Sequence, residues 1–171
     1  MNKIKDINQG DVLAFLTDDG KYKVIICTSV YKNKSLQNFT FAATNIEQTN
    51  LPSIDEVIEH MFFGIGNIKA NFFKYSEKET DKMWNEHPEI KPYQLGSYGL
   101  IIWRKDFMTF RENFNRIGNI SLIDNLDKNG NGSLNVSDWE FLKSIFNQNL
   151  QELLPDKGQK QFKVKAIIKS K

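Results

Sequence analysis

Residues 10–30 of this chain have the sequence GDVLAFLTDDGKYKVIICTSV. Two apolar stretches, 12–15 and 22–30, lie on either side of the turn-forming residues Asp18, Asp19 and Gly20. Asp-Gly between two such stretches is a strong β-hairpin signal, because glycine readily adopts the positive φ that tight hairpin turns need. The sequence therefore predicts that an antiparallel hairpin organises the first part of the chain.

Further elements are expected downstream of this hairpin. Ser53 and Glu56 fit the capping box that opens a helix. Periodicity and capping signals predict five others: strands over 39–43 and 98–103, a helix opened by Asp106 and ended by Gly118, a helix over 136–150, and a final strand over 161–168. We therefore expect an α+β fold, in which an N-terminal antiparallel β-sheet or small barrel carries packed helices and a C-terminal edge strand.

The 171 residues form a single predicted domain, 1–171. Four regions differ in character: a β-rich part (1–50), mixed helices and strand (51–118), the segment 119–150, and a lysine-rich terminal strand (156–171). Apolar stretches are too short for a membrane span. Cys27 lies in an apolar stretch and is expected to be buried, and the first residues lack a secretory signal, so a cytoplasmic protein is expected.

The charges are distributed unevenly. Lysine occurs 20 times and arginine 3 times. Residues 156–171 hold six lysines and one acid, a net +5, so the other residues sum to −3 within the total of +2. Arginine's planar fork suits bidentate contacts with phosphates and bases, so its scarcity speaks against a nucleic-acid-binding protein.

Residues 127–138, DKNGNGSLNVSD, resemble an EF-hand loop of the dockerin type. Oxygen ligands at alternate positions wrap one side of Ca²⁺, a glycine makes the sharp turn, and a carboxylate closes the shell. The resemblance implies an EF-hand-like loop and helix over 119–150. Its ligands would be the side chains of Asp127, Asn129, Asn131 and Asp138 and the Ser133 carbonyl.

The same residues also fit an Asn/Gly-rich turn that ends at a helix cap, Ser137, and needs no ion. Two of the proposed side-chain ligands carry charge, so a calcium site here would be weak, with a dissociation constant of about 10⁻⁴–10⁻³ M. Both interpretations remain open at this point.

Candidates for catalysis are few. His60 lacks a second metal ligand at helical spacing, and His87 precedes Pro88 and is expected in a loop. Neither belongs to a recognisable nucleophile–base pair. Phosphate-binding loops and zinc-ligand spacings are also missing from the sequence. These observations favour a non-catalytic protein.

Residues 9–45 resemble the opening of two small β-barrel families of bacterial conflict systems. The resemblance lies in the Gly10–Asp11 pair and in the Asp19–Gly20–Lys21–Tyr22 motif before an apolar strand. One family is immunity protein 26, whose members protect against a cognate polymorphic toxin. The other is the PemK-type endoribonuclease toxins, in which an arginine–proline pair follows the second turn and supports RNA cleavage. This chain has Lys21 to Val24 there, which speaks against ribonuclease activity.

The resemblance to the immunity family implies a protein that binds a toxin protein directly. A mildly acidic body suits contact with a basic nuclease site. Helix amphipathicity places Asp55, Glu56 and Glu59 on the surface of the predicted helix, and we expect these three to contact the partner.

Overall fold

The computed structural model describes residues 4–33, 36–65, 78, 82, 99–123, 134–148, 150–156 and 159–169. The strands in these ranges are β1 (Asp11–Leu16), β2 (Tyr22–Asn33), β3 (Leu36–Ala43), β4 (Met61–Ile65), β5 (Leu100–Trp103), β6 (Phe114–Asn119), β7 (Leu134–Val136) and β8 (Gln159–Lys163). The helices are α1 (Ile54–Ile58), α2 (Arg104–Phe110), α3 (Trp139–Gln148) and α4 (Leu150–Asp156), with 3₁₀ turns over Arg111–Asn113 and Val164–Ile167. The predicted α+β class is confirmed.

The predicted hairpin supplies two adjacent inner strands of a six-stranded sheet with the order β6-β1-β2-β3-β5-β7. β1 pairs antiparallel with β2, and Val12 lies opposite Ile26. β6 pairs with the other edge of β1, so β1 is hydrogen-bonded on both sides. β5 is antiparallel to β3, whereas β7 runs parallel to β5. A second sheet contains the antiparallel pair β4 and β8.

Both faces of the large sheet are buried. Leu13 and Phe15 point into a first core that contains α2, α3 and α4. Val12 and Ala14 point into a second core that contains Val57 of α1 and the C-terminal 3₁₀ turn. Alternate residues of a strand point to opposite faces, so the four consecutive apolar residues of β1 supply both cores.

Aromatic rings fill much of the first core. The ring of Phe15 lies edge-on to the rings of Phe114, Trp139 and Phe146, with centroids 5.5, 5.6 and 5.0 Å away. Phe107 stacks on Phe114 at 5.1 Å. Such pairs contribute about 0.5–1.5 kcal/mol each beyond the area that they bury.

The helix predicted from Asp106 to Gly118 is wrong in its second half. α2 ends at Phe110, and the chain continues through a 3₁₀ turn into β6. The phenylalanine spacing fits a helix, but Phe114 reaches the same core as Phe107 from a strand that pairs with β1. Pairing with β1 therefore overrides the helical pattern.

Two later boundaries also differ from those predicted. The helix expected over 136–150 begins at Trp139, because Val136 belongs to β7, and a separate helix starts at Leu150. The final strand, expected over 161–168, ends at Lys163. The lysine-rich terminal strand expected within 156–171 is therefore shorter than predicted. Val164, Ala166 and Ile167 are all buried in the second core, which a strand alternating in and out would not allow.

None of the described helices has the length and apolar character needed to cross a membrane.

Two glycines with positive φ provide a test of this fold. Gly10 has φ 89° and Gly20 has φ 77°. A methyl group on Gly20 would meet open space, whereas one on Gly10 would collide with the backbone oxygen of Ile120. Gly20→Ala should therefore lower the free energy of unfolding by about 1 kcal/mol through backbone strain alone.

Gly10→Ala should lower the free energy of unfolding by about 3 kcal/mol, because overpacking adds about 1–3 kcal/mol to the same strain. Urea denaturation of both variants measures the difference. Equal losses at the two positions would contradict the close approach of Gly10 to the chain after β6.

Candidate functional site

The segment before and through α1 presents acidic side chains on a fixed backbone. Ser53 caps the helix, because its hydroxyl accepts a hydrogen bond from the Glu56 amide at 3.2 Å. The Glu56 carboxylate accepts one from the Ser53 amide at 2.7 Å. That backbone hydrogen bond lowers the pKa of Glu56, so this side chain is a carboxylate at neutral pH. The capping box that the sequence predicts is confirmed.

Contacts at both ends hold α1 against the second core. Val57 is fully buried there. Ile54 packs so closely on Gly118 that a methyl group at Gly118 would clash with it. At the far end, Lys165 forms an ion pair with Glu59 at 2.8 Å. The amide of Val164 also donates to the carbonyl of His60 at 3.0 Å. The C-terminal 3₁₀ turn therefore braces the helix.

The three predicted partner-binding acids occur together on α1 and its C-terminal cap, but their interactions differ. Asp55 is exposed and has no ion pair among the described residues. Glu56 is occupied by the capping box, and Glu59 by Lys165. Sequence reasoning missed Leu51, a leucine that is 48% exposed immediately before Pro52. We call Leu51, Asp55, Glu56 and Glu59 the α1 surface.

A second group of charged side chains lies where β2 begins. Lys23 is 4% exposed, and its Nζ is 3.3 Å from Glu47 Oε1 and 3.7 Å from Asp19 Oδ2. The same Glu47 oxygen is 3.0 Å from Lys21 Nζ. Hydrogen bonds from Lys21 and then Lys23 lower the pKa of Glu47, and Glu47 in turn raises the pKa of Lys21. We call these four residues the Lys23 cluster. No local sequence pattern predicts that a lysine in this strand would be buried.

Most of the predicted calcium loop lies outside the described residues, namely Asp127, Asn129, Asn131 and Ser133. Asp138 is described and exposed, and its Oδ1 accepts a hydrogen bond from the Phe141 amide at 2.8 Å. Asp138, and not Ser137, therefore caps α3. Within the described residues, no group of three or more His, Cys, Asp or Glu side chains is placed to hold a metal ion.

Cys27 and His60 have the structural environments expected of them. Cys27 is buried in the first core. His60 is partly buried, and its Nδ1 lies 3.3 Å from the side-chain oxygen of Asn45. His87 lies outside the described residues.

No protein-family model matches this chain, and no curated protein and no solved structure is significantly similar to it.

The Lys23 cluster predicts a pH-dependent contribution to stability. Glu47→Gln should lower the free energy of unfolding at neutral pH by roughly 1 kcal/mol or less, since Glu47 is half exposed. The pKa of Glu47 is lower in the folded chain than its ordinary value of 4.5. The carboxylate therefore stabilises the fold above the unfolded pKa, and this stabilisation is lost as pH falls through the folded pKa.

Urea denaturation of the unmodified protein and of Glu47→Gln should be measured as a function of pH. The difference between their free energies of unfolding should vanish in acid, where Glu47 is protonated. Asp55→Asn removes a carboxylate with no described ion pair and serves as the control. A difference for Glu47→Gln that stays constant into acid would contradict the ion pairs assigned to Glu47.

Proposed function

We propose that this protein is a non-catalytic binding protein that neutralises a cognate bacterial toxin by direct contact, as an immunity protein does. The observation that carries the proposal is the α1 surface, where an exposed leucine just before the helix and three acids on the helix and its C-terminal cap lie on a held backbone. The resemblance of residues 9–45 to immunity protein 26 adds support. We place its action in the cytoplasm, where a toxin of this class would be met.

A rigid surface is well suited to this task. Binding costs conformational entropy when side chains and loops must be ordered, and the capping box and the Lys165 ion pair order α1 beforehand. Interfaces generally combine an apolar centre with a polar rim, and this segment offers one exposed apolar side chain, Leu51, and three exposed acids for such a contact. Carboxylates would attract a basic partner and set its orientation.

The residues that carry the family resemblance belong to β1, β2 and β3. Much of this region is buried in the two cores, including 12–15 and 24–27. These residues account for a shared scaffold better than for a binding surface. We therefore assign the partner contact to α1 and not to the hairpin.

Co-expression with the toxin encoded beside this gene tests the proposal. The full chain should protect the cells and co-purify with the toxin. Failure of both would contradict the proposed function.

The α1 surface has its own test in binding measurements with the purified toxin. Asp55→Lys and Leu51→Asp should each weaken binding by about tenfold or more, the loss expected at an interface centre. Asp156→Lys is the matched control for Asp55→Lys, because it changes the net charge equally at an exposed acid on α4. Equal affinities for all three variants would place the interface elsewhere.

A second candidate function is a weak calcium site over residues 127–138. The observation that favours it is the order of elements after the loop: β7 is followed within three residues by α3, and Asp138 lies between them. One oxygen of Asp138 caps α3, and a carboxylate has a second oxygen that can ligate a cation. The remaining ligands would be those predicted from the sequence, and calcium would join the loop to the start of α3.

Isothermal titration with Ca²⁺ tests this second candidate. The full chain should bind with a dissociation constant of about 10⁻⁴–10⁻³ M and melt at a higher temperature with calcium present. Asp127→Ala should abolish both effects, whereas Asp124→Ala, the same change outside the twelve residues, should preserve them. No heat and no rise in melting temperature would rule out the site.

A further inference from the structure

A cavity of about 330 Å³ lies between the end of β3 and the junction of α3 with α4. Its lining includes Lys23 and Glu47 from the Lys23 cluster, together with Glu152 on α4. Phe146 and Leu150, both buried, provide an apolar wall. This volume is at the lower end of the range for ligand sites, so an occupant would be small.

Lys23 is the unusual group in this lining. An ammonium has three N–H donors, and charged hydrogen bonds are typically about 2.7–2.9 Å long. Among the described residues, the carboxylate oxygens nearest to Lys23 Nζ are 3.3 and 3.7 Å away, and the closer one also contacts Lys21. Within the part of the chain that the structure describes, this buried ammonium therefore has only long contacts to carboxylates, and it lines a cavity where a further oxygen would strengthen its hydrogen bonding.

The neighbouring charges restrict what that oxygen can belong to. A simple anion at Lys23 would also meet the carboxylates of Glu47 and Glu152, while a simple cation would meet the buried ammonium. A ligand that carries both charges close together avoids each repulsion. An α-amino acid has this arrangement, because its carboxylate and ammonium are attached to one carbon.

We propose that this cavity binds a free L-amino acid with an apolar side chain. The carboxylate accepts from Lys23 Nζ, the ammonium faces the carboxylates of Glu47 and Glu152, and the side chain packs on Phe146 and Leu150. This site is separate from the α1 surface and does not depend on the proposed toxin binding.

Titration of the nitrogen-labelled full chain with L-leucine, followed by heteronuclear NMR, tests the proposal. A ligand this small should bind at about millimolar concentration. Saturable shifts are expected at the amides of residues 44–47 and 150–152. Isoamylamine, which lacks the carboxylate, and isocaproic acid, which lacks the amine, should each bind about tenfold more weakly or worse.

Two variants locate the site. Lys23→Met keeps the length of the side chain and removes its charge, and it should weaken leucine binding about tenfold or more. Asn147→Trp adds bulk at an exposed position of the lining, so it tests the cavity even if Lys23→Met fails to fold. Phe141→Trp, an exposed position of α3 outside the lining, should bind leucine normally.

The proposal is overturned if leucine gives no saturable shifts. Equal binding of both single-charge analogues would also overturn it, because the zwitterion would then have no advantage. Unchanged leucine affinity in a folded Asn147→Trp protein would show that the cavity is not the site.

Discussion

The structure depends on the burial of one strand from both sides. β1 is hydrogen-bonded to β2 and β6, and its residues 12–15 are fully buried. Burying an apolar side chain of valine, leucine or phenylalanine stabilises a fold by about 1.5–3 kcal/mol. Because these residues alternate between faces, the sheet needs cover on both, and the helices and the C-terminal segment supply it.

The elements that cover the two faces of the sheet also carry the two candidate sites, the α1 surface and the cavity lined by Lys23. α1 and the C-terminal 3₁₀ turn cover the second core. Leu51 and Asp55 lie on the outer surface of this cover. α3 and α4 cover the first core, and the cavity lies between their junction and the end of β3. Both sites therefore arise where a covering element meets the sheet.

Local sequence signals predicted the elements that local interactions determine. The hairpin follows from its turn, and the start of α1 follows from Ser53 and Glu56. Where distant residues decide, the sequence was less informative. Phe114 fits a helical pattern but pairs with Phe15 across the sheet, and β8 pairs with β4, which lies nearly one hundred residues earlier. The burial of Lys23 likewise depends on tertiary structure, because its ion-pair partner Glu47 lies 24 residues later in the chain.

Hydrogen exchange of the native chain tests whether both cores depend on β1. If β1 is the strand on which both cores depend, the amides of residues 12–15 and their partners in β2 should exchange only through global unfolding and should be among the slowest. Their exchange should also respond to urea with the full sensitivity of global unfolding. Exchange in β1 that is faster than in α3, or insensitive to urea, would contradict the dependence of both cores on this strand.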